Sequence, residues 1–168
     1  MTVTESPDDD PQMVPRQLRP GQRTEVWIVD VDRAAASCVY TTDTALLEAP
    51  NWATDGGGLL LNGDGLLWRL DLEPEVELSA VPIENLPPIN NDHVLDPSGD
   101  SVVVSARNGE LYRVPLPAGG ATVQLTDAAS ALPVRRKFYL HGIAPDGSAL
   151  AAIVGELSRD DVWTTDVA

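Results

Sequence analysis

Asn51-Trp52-Ala53-Thr54-Asp55-Gly56, His93-Val94-Leu95-Asp96-Pro97-Ser98-Gly99 and His141-Gly142-Ile143-Ala144-Pro145-Asp146-Gly147 are three versions of one phrase. Each runs into an apolar stretch and then into an aromatic-centred segment: Leu66-Leu67-Trp68-Arg69-Leu70, Glu110-Leu111-Tyr112-Arg113-Val114 and Asp161-Val162-Trp163-Thr164-Thr165. The turn glycines Gly56, Gly99 and Gly147 lie 43 and then 48 positions apart. A period of that size marks one supersecondary unit stacked on copies of itself, and a propeller blade is among the units of that length. The repeat speaks to architecture before it speaks to chemistry.

Working outward from the phrase, the chain reads as β throughout. Glu25 to Val31 and Ser37 to Thr42 form two strands ahead of the first copy. Leu59 to Asn62, Leu66 to Leu72 and Val76 to Val81 follow it, with Asn62-Gly63-Asp64-Gly65 as a tight turn because Gly and Asn tolerate positive φ. The second unit repeats the order with Val94 to Asp96, Ser101 to Ala106, Glu110 to Leu116 and Thr122 to Thr126. The third supplies Gly142 to Ala144, Ala149 to Val154 and Val162 to Val167. No stretch of ten residues carries a capped stripe of helical period. Numbering the strands of a unit from first to fourth, the chain runs third and fourth, two full sets, then first to third, or about thirteen strands. The segments Ile83 to Asn91 and Ala128 to Leu140 are polar or Pro-rich and suit crossovers between units. Residues 1–22 lack periodicity and read as a disordered or draped arm ahead of one domain spanning 23–168.

The chain has 168 residues, enough for one sizeable core, and 43% of them are hydrophobic. It is acidic, with 26 Asp and Glu against 11 Lys and Arg, a formal charge of −15. From Asp43 to Asp100 there are twelve acids and the single base Arg69. Such a surface repels phosphate backbones and anionic lipid, so neither nucleic acid nor membrane is an expected partner. Arg135-Arg136-Lys137, the one basic cluster, is expected to be a solvated loop. One cysteine, Cys38, excludes an internal disulfide or a cysteine-based zinc site and suits a small buried position. The amino terminus has neither a basic region nor an apolar core of the secretory kind, and no apolar run approaches the roughly 18 residues a membrane helix needs. A cytoplasmic location follows as the expectation.

The three phrases resemble the Trp-x-Pro-Asp-Gly motif of TolB-like β-propeller repeats. Leu67-Trp68-Arg69-Leu70 and Leu111-Tyr112-Arg113-Val114 resemble the aromatic strand of the same blades. The resemblance spans about residues 25 to 167. It implies an all-β fold of about three four-stranded blades, where TolB-type rings have six. Two departures stand out. Thr54 replaces the Pro of the motif, and Ser98 stands where the family has Asp, which should weaken one side-chain cap. An arc of three blades would leave an apolar face open at each end. The expected remedy is a homodimer closing a six-bladed ring, with a partial copy of a longer parent as the alternative. In the dimer the third strands around Trp27 and Trp163 would be duplicated.

Aligned on the turn glycine, His93 and His141 fall at one position and Pro50 is the third member. In a propeller this position opens the innermost strand at the channel mouth. Asn90, Asn91 and Asp92 stand beside His93 and complete the candidate ligand set. Imidazole with carboxylate suits a divalent transition metal, which makes His93 and His141 the candidate metal ligands. The competing assignment, given more weight, is that His93 and His141 close hydrogen bonds between blades and need no cofactor. Trp27, Trp68, Tyr112 and Trp163 share one strand position and are expected to pack between neighbouring blades. Trp52, Leu95 and Ile143 form a second such set.

No nucleophile elbow or phosphate loop is present: Ser98 and Ser101 lack the Gly-x-Ser-x-Gly turn, and Gly56-Gly57-Gly58 lacks the Lys. Glu73, Glu75 and Glu77 are expected to guard a strand edge against aggregation. The resulting expectation is a non-enzymatic binding or scaffolding module with a protein or small-molecule partner. TolB resemblance implies protein partners, although TolB's separate amino-terminal domain has no counterpart in this sequence. The alternative is a metal-dependent carbohydrate-active enzyme resembling oligogalacturonate lyase, whose remaining ligands and base have no matching positions.

Overall fold

The computed structural model describes residues 14–116, 121–127, 135–157 and 163–167. It contains four antiparallel sheets in chain order. A hairpin comes first, β1 (Thr24–Asp30) with β2 (Ala35–Thr42). The second sheet is β3 (Leu47–Trp52), β4 (Gly58–Gly63), β5 (Leu66–Asp71) and β6 (Glu77–Ala80). The third is β7 (Ile89–Leu95), β8 (Ser101–Ala106), β9 (Leu111–Pro115) and β10 (Val123–Gln124). The fourth is β11 (Arg135–Ile143), β12 (Leu150–Leu157) and β13 (Trp163–Val167). Each full sheet is a meander with strands in sequence order, and the hairpin and last sheet are incomplete versions of it. We refer to these four sheets as blades 1 to 4.

The phrase builds the same turn three times, because its glycine supplies a positive φ that costs other residues. Gly56, Gly99 and Gly147 have φ of 72°, 81° and 73°. Their N–H groups donate to the carbonyls of Ala53, Asp96 and Ala144 at 2.9, 2.8 and 2.8 Å. The side chain one place before each glycine caps the N–H one place after it. Asp55 accepts from Gly57 at 2.9 Å and Asp146 from Ser148 at 3.0 Å. In the middle copy Ser98 Oγ accepts from Asp100 at 3.2 Å, and Asp96 holds Ser98 through both its N–H and its hydroxyl. The departure from Asp lengthens that cap, and Asp96 offsets the loss.

The core lies between blades. Strands β4 and β8 are buried along their whole length, which is why they read as continuous apolar runs rather than alternating ones. Along β8 the faces alternate: Val102 and Val104 join Tyr112 and Val114 against Leu67 of blade 2. Val103 joins Leu111 against Leu140, Phe138 and Ile143 of blade 4. Blade 2 meets the hairpin in the same way, with Leu59, Leu61, Leu70 and Trp68 packed around Val26, Val39 and Tyr40.

Several expectations change. The inner strands β7 and β11 begin before their phrases, at Ile89 and Arg135, so parts of the anticipated crossovers are strand. The basic triplet lies in β11 and Lys137 is buried, not a solvated loop. Cys38 is exposed, because β2 is the outermost strand of a blade with no further cover. Glu73 and Glu75 precede β6 in an exposed connection, and only Glu77 belongs to a strand. The expected strand at Thr122 to Thr126 is reduced to Val123–Gln124. Of the expected arm, residues 1–13 lie outside the described ones, while 14–22 are irregular chain draped over blade 2. There Arg16 pairs with Glu48 at 2.8 Å.

Trp68 and Tyr112 do pack between blades, each turned toward the blade before it. Trp27, their counterpart in β1, is 52% exposed, as is Trp52 of β3 at 53%. Leu95 and Ile143, the counterparts of Trp52, pack against the preceding blade. The difference has one cause: among the described residues no strand flanks β1 on its inner side and no blade precedes the hairpin. Trp163 breaks the pattern differently, since β13 pairs Trp163 with Leu157, outside the repeat register.

Candidate functional site

The inner strands β3, β7 and β11 stand side by side and carry the candidate residues. A register shift interrupts β7 between Ile89 and His93, and another interrupts β11 between Leu140 and Gly142. His93 resumes the ladder opposite Val104. His141 falls inside the irregularity of its own strand. Equivalent in sequence, the two histidines therefore reach different surroundings: His93 is 4% exposed and His141 is exposed.

His93 is held from both sides. Its Nδ1–H donates to Oδ1 of Asn62 on β4, and its Nε2 accepts from Nδ2 of Asn51 on β3 at 3.0 Å. That pairing defines a neutral imidazole with the proton on Nδ1. Asn51 also donates to the His93 carbonyl at 3.3 Å, and Asn62 donates to the carbonyl of Asn90. Burial depresses the His93 pKa from 6.5 to about 4, and a neighbouring Leu60 backbone group only partly offsets this. Blades 2 and 3 are thus joined by a buried polar network.

Asn62 is a residue that sequence reasoning missed, and its counterpart in blade 3 shows why it matters. Six places after the turn glycine come Asn62 and Ser105, both buried polar residues on second strands. Ser105 Oγ accepts the Leu140 N–H of β11 at 2.9 Å. Each second strand therefore reaches the inner strand of the next blade through one polar side chain. A polar residue at a fixed offset inside an otherwise apolar run was the available signal.

Asp92 is half-buried beside Asn90, whose Nδ2 donates to it at 3.1 Å and whose Oδ1 accepts its N–H at 2.7 Å. Burial raises the Asp92 carboxyl pKa, while the His141 charge, the Asn90 hydrogen bond and the charge of Arg16 act against it. Tyr139 is raised in turn, by burial first and by the Asp92 charge second. Asp92, Tyr139, His141 and the Arg16–Glu48 pair thus form one electrostatic neighbourhood at the inner strands. Asn91 is exposed on β7. Two grooves lie elsewhere. One of about 470 Å³ between blades 2 and 3 is lined by Asp55, Arg69, Leu95 and Asp100. One of about 710 Å³ is lined by Ile83, Tyr112, Thr122 and Gln124.

The donor set fits a metal poorly. Both ring nitrogens of His93 already have protein partners, so a metal there would have to displace Asn51 or Asn62. Among the described residues no three His, Cys, Asp or Glu side chains are grouped to hold one. Among them, too, no helix is long and apolar enough to cross a membrane.

Face-to-face antiparallel meanders, repeated in order with inner strands adjacent, define a β-propeller architecture. Comparison with solved structures gives the same answer: the chain is similar to one described as "putative TolB from Agrobacterium tumefaciens", with a TM-score of 0.65 and 29% identity. The match covers 84% of this chain and 52% of that one. An uncharacterised protein of Agrobacterium fabrum is 34% identical over 147 residues, which is 86% of this chain and 48% of the relative. No family model matches the sequence. The chain is a partial TolB-like β-propeller, and it spans about half the length of the relatives it matches.

Proposed function

We propose that this chain is a non-catalytic binding module that works as half of a closed propeller, with a second copy of itself supplying the other half. The observation that carries this is the open face of the hairpin. Trp27, Val29 and Val31 occupy the positions that Trp68, Leu70 and Leu72 hold in blade 2, every second residue of the third strand in each case. Leu70 is 0% exposed and Val114, its counterpart in blade 3, is 1% exposed, whereas Val29 is 63% and Val31 86% exposed. In blades 2 and 3, each of which has a preceding blade, the same places are buried or half-buried. Each such side chain, once covered, contributes roughly 1.5–3 kcal/mol, and a face of this kind is the mark of an association surface.

In the closed ring the ligand position is the mouth formed by the inner strands. Glu48, Asp92, His141 and Tyr139 give it a carboxylate-rich lining, and the arm already places the Arg16 guanidinium against Glu48. The class of ligand these groups favour is cationic: an ammonium, a guanidinium or a basic peptide segment. The deciding experiment for the assembly is the mass in solution. Twice the 17.9 kDa chain mass by light scattering is expected, and a monodisperse single-chain mass rejects the half-ring.

A further inference from the structure

We infer that the second copy joins by strand exchange: β1 of one chain takes the third-strand place beside β12 of the other and displaces β13. This rests on the half-ring reading above and specifies its seam.

The first ground is register. In blade 2 the aromatic residue of the third strand lies opposite the residue five places after the turn glycine, Leu61 against Trp68. Blade 3 does the same with Val104 against Tyr112. In blade 4 that residue is Ala152, yet β13 sets Trp163 opposite Leu157 and Val167 opposite Ile153. The strand is displaced by five residues from the repeat. The displacement is odd, so the backbone register of β13 is out of phase with the two-residue period of the repeat and β13 occupies the third place without matching it.

The second ground is that another strand matches better. Glu25-Val26-Trp27-Ile28-Val29-Asp30-Val31 and Asp161-Val162-Trp163-Thr164-Thr165-Asp166-Val167 share Val, Trp, Asp and Val at the same positions. β1 has β2 on one side and no strand on the other among the described residues. Placed beside β12 of a second copy in the repeat register, Trp27 lies opposite Ala152, Ile28 opposite Ala151 and Val29 opposite Leu150. The hybrid sheet then reads β11, β12, β1, β2, the order of the complete blades.

The third ground is what the exchange covers. Trp27, Val29 and Val31 turn to the face that Leu150 and Ala152 already present to blade 3, where Val103 and Leu111 wait. Trp52 comes to lie under the exchanged β12, as Leu95 lies against blade 2 and Ile143 against blade 3. Trp27 and Trp52 are therefore buried by one movement. Two complete blades from each chain and two hybrid blades make six, in keeping with relatives about twice as long.

The test uses the full chain with the exposed Cys38 replaced by Ser. Ile28→Cys with Ala151→Cys, under mild oxidation, is expected to give a disulfide between chains, since cross-strand partners meet the Cα spacing a disulfide needs. Ile153→Cys with Val167→Cys traps the β13 register inside one chain and is expected to remain reduced in the dimer. A dimer that forms only the intrachain disulfide overturns the exchange and leaves the half-ring standing. A single-chain mass overturns both. Two further substitutions report without cross-linking. Trp27→Ser, at a site exposed in the single chain, is expected to weaken dimerisation at least tenfold, and Trp163→Ser less than twofold. The opposite ranking overturns the exchange.

Discussion

His93 on β7 donates its Nδ1–H to Asn62 on β4, and this bond between neighbouring blades holds the imidazole neutral in a site that excludes water. A pH dependence follows. The folded pKa of about 4 lies below the unfolded 6.5, so between these values the unfolded chain binds the extra proton. The contribution is complete above pH 6.5, declines as pH falls, and is gone below about 4. Its size is about 3 kcal/mol at 1.36 kcal/mol per pKa unit. Asp92 acts in the opposite sense, because burial raises its carboxyl pKa and favours the folded state on acidification. Urea unfolding of the wild type and of His93→Gln at pH 7.5, 5.5 and 4.5 should show a smaller decline in the variant. Parallel declines would remove His93 as the source.

The two polar residues that bridge blades differ in how much they satisfy. Asn62→Leu leaves both the His93 Nδ1–H and the Asn90 carbonyl without their partner. Ser105→Ala leaves only the Leu140 N–H. At about 1–3 kcal/mol for each buried orphan, Asn62→Leu should cost about 2–6 kcal/mol and Ser105→Ala about 1–3 kcal/mol in denaturant midpoint analysis. Equal costs would mean that the His93 network is not what Asn62 sustains.

The turn glycines separate backbone strain from crowding. A Cβ on Gly56 meets open space, so Gly56→Ala carries only the positive-φ penalty of about 1–2 kcal/mol. A Cβ on Gly99 would come within 2.5 Å of Thr54 Oγ1 and 3.0 Å of two further Thr54 carbons. Gly99→Ala should therefore cost more, and Thr54→Ala should restore the excess in a double-mutant cycle. Additive effects of the two changes would deny the contact.

The blades were legible because their information is local. A glycine at positive φ, its cap and the aromatic strand that follows all lie within about twenty residues, and each appears three times in the sequence. The inner strands extend further than the phrases suggest because Asn90, Asn91, Arg135 and Arg136 look like loop residues; Arg135 and Arg136 pair with Leu157 and Glu156 of the following strand, while Asn90 and Asn91 fill the irregularity between the paired Ile89 and His93. Cys38 and Trp52 were misjudged for a related reason. Burial there depends on cover from outside the local strand pair, which none of the described residues provides. The two histidines share a place in the repeat, but the bulge at His141 comes from pairing across β12, and no residue in the phrase announces it.

The contact between Arg16 and Glu48 tests the mouth. The pair is largely solvent-accessible, with side-chain exposures of 57% and 27%, so Arg16→Ala should change stability by about 0.5 kcal/mol or less. It also removes a cation placed against Glu48 and within electrostatic reach of Asp92. Titration with spermidine at low salt should show tighter binding to Arg16→Ala than to the wild type, and Glu48→Gln combined with Asp92→Asn should abolish the gain. Identical isotherms for all three proteins would discard the mouth as a cation site.

Charge also bears on assembly. Each chain carries a formal −15, and two copies meeting along an apolar seam bring these charges together. In the proposed dimer the seam consists of the exposed Trp27, Val29, Val31 and Trp52, so its attraction would be apolar and its repulsion electrostatic. Screening shortens the repulsion, with a Debye length near 30 Å at 0.01 M and about 10 Å at 0.1 M. Added salt should therefore strengthen the dimer, on the order of tenfold in dissociation constant between 20 and 300 mM sodium chloride by the cost of self-repulsion. Sedimentation velocity across that range measures it. A dimer held mainly by ion pairs would weaken over the same range, which would place the contact somewhere other than the open face of β1.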